Sequence, residues 1–222
     1  MKNIIYILLA STLFCSDFSE RYYKSMDRGI EMFKNSETES DYLKTSNLFY
    51  RISQVQKTDW LSSYYYAFCN TKISMLKEEP DIKEEYLDKA LEILAPFDTL
   101  NISSIDSLAQ SEIHTLRAMI YIAKIFINPM VNGMKYGSIS GKSIEKAKSF
   151  NIKNPRPYFL EGQSKFYTPS AFGGGVEKAF PLLENALEYY SVFQAKKYWP
   201  NWGYEDCKKL HQESLKQIDE NK

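Results

Sequence analysis

Histidine and cysteine are scarce in this chain, with two of the first and three of the second in 222 residues. His114 and His211 stand far apart and no Cys pair has the spacing of a ligand set, so no metal site is expected. Cys69 and Cys207, the cysteines beyond the N-terminal stretch, are too few and too distant for a disulfide framework and read as buried thiols. Excess charge is missing too. Lys plus Arg and Asp plus Glu are equal at 28 each, which leaves no basic surplus to neutralise a phosphate backbone and argues against nucleic acid as a partner. Nor does any apolar run reach the roughly 20 residues that a membrane span requires. What is abundant is aromatic side chain, 15% of the chain with 17 Tyr, in a composition of 44% hydrophobic and 25% charged residues that suits a folded protein rather than a disordered one.

The first residues form a separate unit. Lys2 precedes an apolar run over 4–14 of the length of a signal-peptide hydrophobic region, and the chain turns polar at Ser16, Asp17, Ser19 and Glu20. Residues 1–16 are therefore expected to be an export signal, and 17–222 the mature domain, periplasmic or secreted and not transmembrane after cleavage. Cys15 raises the question of a lipid anchor. Phe14 argues against it, because lipoprotein processing favours a small residue immediately before the cysteine.

Hydrophobic periodicity over the rest predicts helices throughout. Phe18, Tyr22, Met26, Ile30 and Phe33 mark a first stripe interrupted by Gly29, where a neighbouring helix is expected to approach closely. Further helices are predicted over 41–56, 60–76 with Asp59 as cap, 82–94, 107–127, 143–150, 158–167, 176–192 with Pro181 in its early turns, and 202–218. Residues 129–142 carry Gly133, Gly137 and Gly141 and read as a formed loop. A small residue followed four positions later by an apolar one recurs as Thr45, Phe49 and Ile52, as Ala90, Leu94 and Phe97, as Ser143, Ala147 and Phe150, and as Ala179, Leu183 and Ala186. Such repetition points to an all-α solenoid of about four helix pairs plus a C-terminal capping helix, each pair sheltering the apolar face of the next.

These residues resemble the tetratricopeptide repeat family. Gly29, Ala67, Ala118 and Gly162 match its small first-helix positions, Tyr121 its aromatic, and Ser143, Ala147, Phe150 and Pro155 its second-helix spacing through to the boundary proline. Spacings of 45, 53 and 36 between Thr45, Ala90, Ser143 and Ala179 exceed the family period of about 34, so the turns are expected to hold insertions. Trp60-Leu-Ser-Ser-Tyr-Tyr-Tyr-Ala, Asn128-Pro-Met, Asn154-Pro-Arg-Pro-Tyr, Tyr167-Thr-Pro, Phe172-Gly-Gly-Gly and Pro200-Asn-Trp-Gly are similar to an exported bacterial branch of that family. The Gly-rich turn with Glu177, Lys178 and Ala179 is also similar to repeat-containing lipoprotein partners of periplasmic solute transporters.

Catalytic signatures are absent from the string. Gly173 to Gly175 open a helix, yet a phosphate loop needs a following Lys-Ser or Lys-Thr pair and a preceding strand, and here Lys178 is followed by Ala179. Gly137-Ser-Ile-Ser-Gly141 has Ile139 where a nucleophile elbow needs serine. No enzyme activity and no cofactor are expected. In the resembled family the first helices line a groove, which implies that Tyr64, Phe68, Glu112, Arg156, Phe159, Gln163 and Tyr167 face it, the aromatic members being equally suited to core packing. The resulting expectation is a non-catalytic protein- or peptide-binding scaffold of the cell envelope with an unidentified partner. The alternative is a small-molecule or solute-binding accessory of an envelope transport system.

Overall fold

The computed structural model describes residues 20–99 and 106–220. The expected signal segment, its cleavage region and Cys15 lie outside them, as do residues 100–105. Every regular element among the described residues is helical: α1 (20–34), α2 (Glu39–Val55), α3 (Trp60–Leu76), α4 (Pro80–Leu94), the one-turn α5 (Pro96–Thr99), α6 (Ser107–Ile127), α7 (Pro129–Phe150), α8 (Pro155–Tyr167), α9 (Val176–Val192) and α10 (Tyr204–Glu220). They pair in sequence as helical hairpins, α1 with α2, α3 with α4, α6 with α7 and α8 with α9, and α10 closes the end on α9. The arrangement is α-solenoid-like.

Local chemistry sets the helix starts. Thr38 and Asp41 form a reciprocal capping box on α2, the Asp59 carboxylate accepts from the Leu61 and Ser62 amides on α3, and Asp106 accepts from the Leu108 amide on α6. Caps of this kind contribute about 1 kcal/mol each. Pro80, Pro129 and Pro155 occupy first-turn positions, where the missing amide hydrogen would be unpaired anyway.

Close helix crossing explains the small-residue grammar. A Cβ added at Gly29 would lie 2.8 Å from the Phe49 ring, and one at Gly162 would lie 2.8 Å from Leu183. In these two pairs the bulky residue of the second helix thus seats where its first-helix partner has no side chain. Thr45, Phe49, Ala90, Leu94, Ala147, Ala179, Leu183 and Ala186 are buried as the pattern requires.

Residues 129–142 correct the expected loop. They are the first half of α7, and Gly133, Gly137 and Gly141 fall four apart along one face that no neighbour approaches within 4 Å of an added Cβ. Each glycine costs about 1 kcal/mol against alanine. The adjoining stripe of Tyr136, Ser140, Ile144 and Ala147 is buried, Asn128 caps the start, and the Asn132 amide group donates to the Lys124 carbonyl 2.7 Å away. Packing along α6 outweighs the intrinsic penalty.

The first helices also touch one another, α3 with α6 and α6 with α8, while Phe33 of α1 packs on Tyr65 and Phe68 of α3. Together they form one wall. Its larger core cluster runs from Met26 to Leu160, and a smaller one, around Phe159, Leu183 and Cys207, joins α8, α9 and α10.

Candidate functional site

The wall divides along the length of its helices. Its N-terminal half is covered by the protein's own chain, because residues 193–203, which are not helical, run back across it between α9 and α10. This strap touches the first helix of every pair. The Tyr198 hydroxyl donates to Asp27 of α1 at 2.7 Å, Trp199 meets Trp60 of α3 edge-on with centroids 4.9 Å apart, Lys196 pairs with the α6 cap Asp106 at 3.1 Å, and Arg156 of α8 donates to the Pro200 carbonyl. Trp202 is a further anchor, its indole N–H donating to the Tyr64 hydroxyl at 2.8 Å and its ring lying 5.3 Å from that of Phe68. Tyr198 sits at φ 66°, in the left-handed region that a tyrosine rarely adopts. The Tyr65 hydroxyl, donating to the Tyr198 carbonyl at 3.0 Å, helps hold it there.

Beneath the strap lies a polar nest. Arg156, fully buried, donates to the Glu112 carboxylate at 2.8 Å, and Asn154 donates to the same oxygen at 3.0 Å. The Arg156 guanidinium also faces the Phe193 ring at 4.5 Å. Burial pushes the Glu112 carboxyl above its ordinary range, and Arg156 with Asn154 only partly draws it back. The second Glu112 oxygen and Arg156 Nε find no hydrogen-bond partner among the described residues. A nest of this kind is costly to bury and costlier still to break.

The C-terminal half of the same wall is open. A cleft of about 320 Å³ lies between the ends of α3, α6 and α8 and the start of α4. Its floor is the core itself, Met119, Ile122, Ala123 and Leu160, and its sides are Met75, Phe126, Ile127 and Tyr167 with Ser74, Gln163 and Lys83 as the polar members. Phe126 is 57% exposed and Tyr167 56%, with their rings meeting edge-on at 6.4 Å. Lys83 is the one charged residue in the lining. That composition suits an apolar body with a small polar or anionic end, and offers no acid–base pair.

The residues expected to line an accessible groove are thus separated. Gln163 and Tyr167 border the cleft. Tyr64, Phe68, Glu112, Arg156 and Phe159 are buried, at 3% exposure or less, beneath the strap or against α9 and α10, so they are not an accessible surface. The resemblance implied a shared wall for them, but it carries no instruction that the segment between α9 and α10 covers part of it. Met75, Met119, Ile122, Phe126 and Lys83 were missed as lining. Their spacing along α3 and α6 is that of an ordinary core stripe. The strap had a signal: Phe193, Tyr198, Trp199, Pro200 and Trp202 crowd a stretch without helical period.

Other candidates resolve as structural. His114 is buried against Phe150, rings 5.6 Å apart and parallel, and burial holds its pKa down at about 3. His211 stacks on Phe180. Cys69 and Cys207 are free and buried, and burial raises both thiols, Cys207 to about 12. In the Gly-rich turn the amides of Gly173, Gly174 and Gly175 donate to Ser170, Pro169 and Lys165 carbonyls, which leaves none for a phosphate. Among the described residues no group of His, Cys, Asp and Glu is placed to hold a metal ion, and no helix is long and apolar enough to cross a membrane.

No family model matches the chain, and no curated relative matches it. Among solved structures it is similar to the HusA haemophore from Porphyromonas gingivalis, with a TM-score of 0.76 and 29% identity over 88% of this chain and 94% of that one. The likeness therefore spans the helical stack and not a single hairpin.

Proposed function

We propose that this chain is an exported, non-catalytic carrier that holds a haem-class tetrapyrrole as cargo in the open cleft. The observation that carries this reading is the cleft itself, an apolar slot with exposed aromatic sides on a chain similar along its length to a protein described as a haemophore. The volume of about 320 Å³ is at the lower end of the range for small-molecule sites, about 300–1,000 Å³, and suits a ligand whose edge stays in solvent. Tyr167 offers a phenolic oxygen and Met75 and Met119 offer thioethers, donor types that ligate haem iron in other proteins. Neither histidine belongs to the lining. The peptide-scaffold reading has less support, since most of the side chains it called on lie under the strap.

Haem titration, followed by the Soret band and by quenching of aromatic fluorescence, tests the proposal. Saturable one-to-one binding is expected, and Ala123→Trp, which fills the floor of the cleft, is expected to weaken it about tenfold or more without loss of helicity. Unsaturable uptake, or equal binding by the filled variant, would overturn the assignment.

A further inference from the structure

We infer that Lys83 is the carboxylate anchor of the cleft, so that the protein selects flat apolar ligands bearing a free carboxylate over the same ligands with that group capped. This rests on the tetrapyrrole reading and adds a chemical requirement to it. Lys83 is half-buried in the first turns of α4 and borders the cleft. Cations are disfavoured at that end of a helix, where the aligned peptide dipoles already present positive charge.

The neighbouring charges are committed elsewhere. Glu84 and Asp88 pair with Lys124 at 3.3 and 2.6 Å, Glu85 pairs with Lys89 at 2.6 Å, and Lys77 pairs with Glu39 at 2.7 Å. Lys83 makes no ion pair among the described residues. Glu78, Glu79 and Asp81 are exposed, where solvent and salt screen them from the cleft. An unmatched ammonium at the polar end of an apolar slot, with the α4 N-terminus beside it, is complementary to a carboxylate on a hydrophobic body.

The test compares mesoporphyrin IX with its dimethyl ester, both kept monomeric in the same mild detergent, on the wild-type chain, Lys83→Ala and Lys83→Arg. Wild type is expected to bind the diacid about five- to tenfold more tightly than the ester, the range of a charge-assisted contact at a half-buried site. Lys83→Ala should abolish that preference by weakening the diacid alone, and Lys83→Arg should restore most of it. Circular dichroism checks that the variants fold. Binding of both porphyrins without preference, or a preference that survives in Lys83→Ala, overturns the anchor while leaving the carrier reading intact. Failure of wild type to bind either porphyrin overturns the carrier reading and the anchor with it.

Discussion

The two halves of the first-helix wall are built from the same three helices, α3, α6 and α8, yet they serve opposite ends. Near their N-termini these helices carry Tyr64 and Arg156, whose polar tips meet Trp202 and Pro200 of the strap, with Phe68 against the Trp202 ring and Glu112 held by Arg156. Near their C-termini they carry Met75, Met119, Ile122, Phe126 and Leu160, apolar groups over which no segment of the described chain passes. The lesson is that a wall of stacked first helices is not open along its whole length. Where the wall presents the Tyr64 hydroxyl and the Arg156 guanidinium, the chain's own strap partners them; where it presents mostly apolar surface, a cleft stays open.

The largest expected effect comes from breaking the covered half. Arg156→Ala strands Glu112 in the interior and releases the Pro200 carbonyl, and should cost about 3–5 kcal/mol in chemical denaturation. Adding Glu112→Leu to Arg156→Met should recover much of that loss, because a buried pair replaced by apolar groups no longer leaves a lone charge. No recovery would mean that the strap, and not the ion pair, carries the cost.

Next in size is Trp202→Ala. Trp202 is partly buried and bridges both core clusters, so a loss of about 2–3 kcal/mol is expected, somewhat below the usual figure for a fully buried aromatic. Haem affinity should change little. A large loss of affinity with intact helicity would instead tie the strap to the cleft and dissolve the distinction between the halves.

Two buried groups of α6, His114 against Phe150 of α7 and Glu112 beneath the strap, should shape the acid response. Native His114 stays neutral down to about 3 whereas an ordinary histidine protonates near 6.5, so the unfolded chain binds the extra proton between those values. Stability is therefore expected to fall as pH drops through that window, by up to about 1.4 kcal/mol per pH unit. Glu112 acts in the opposite sense. Its raised pKa means that the folded state holds its proton longer, so its contribution falls as pH rises through the raised value. Comparing melting temperatures of wild type and His114→Gln from pH 7 to 4 isolates the histidine, and an unchanged slope would refute its part. The smallest effect on stability is expected at the exposed rim of the open half, where Tyr167→Ala should change unfolding free energy by less than about 1 kcal/mol.

Much of the helical order was legible because it depends on short-range rules. Asp59 before Trp60 is a local signal with a local cause and places the start of α3, while the start of α8 lies at Pro155, three residues ahead of the expected 158. Gly29 and Gly162 revealed close crossings because only a neighbour's bulk explains a glycine inside an amphipathic stripe. Residues 129–142 misled for the converse reason. Three glycines lower intrinsic helicity, and the burial of Tyr136, Ser140 and Ile144 that overrides them depends on α6 being alongside.

By itself the sequence determined an all-α chain of paired helices and its small-residue crossings. Those follow from periodicity and side-chain size, which act over a few residues. Tertiary structure alone decided which part of the first-helix wall meets solvent, because the deciding contacts join Trp202 to Tyr64 and Pro200 to Arg156 across sequence separations of 138 and 44 residues. No local pattern encodes a pairing at that range.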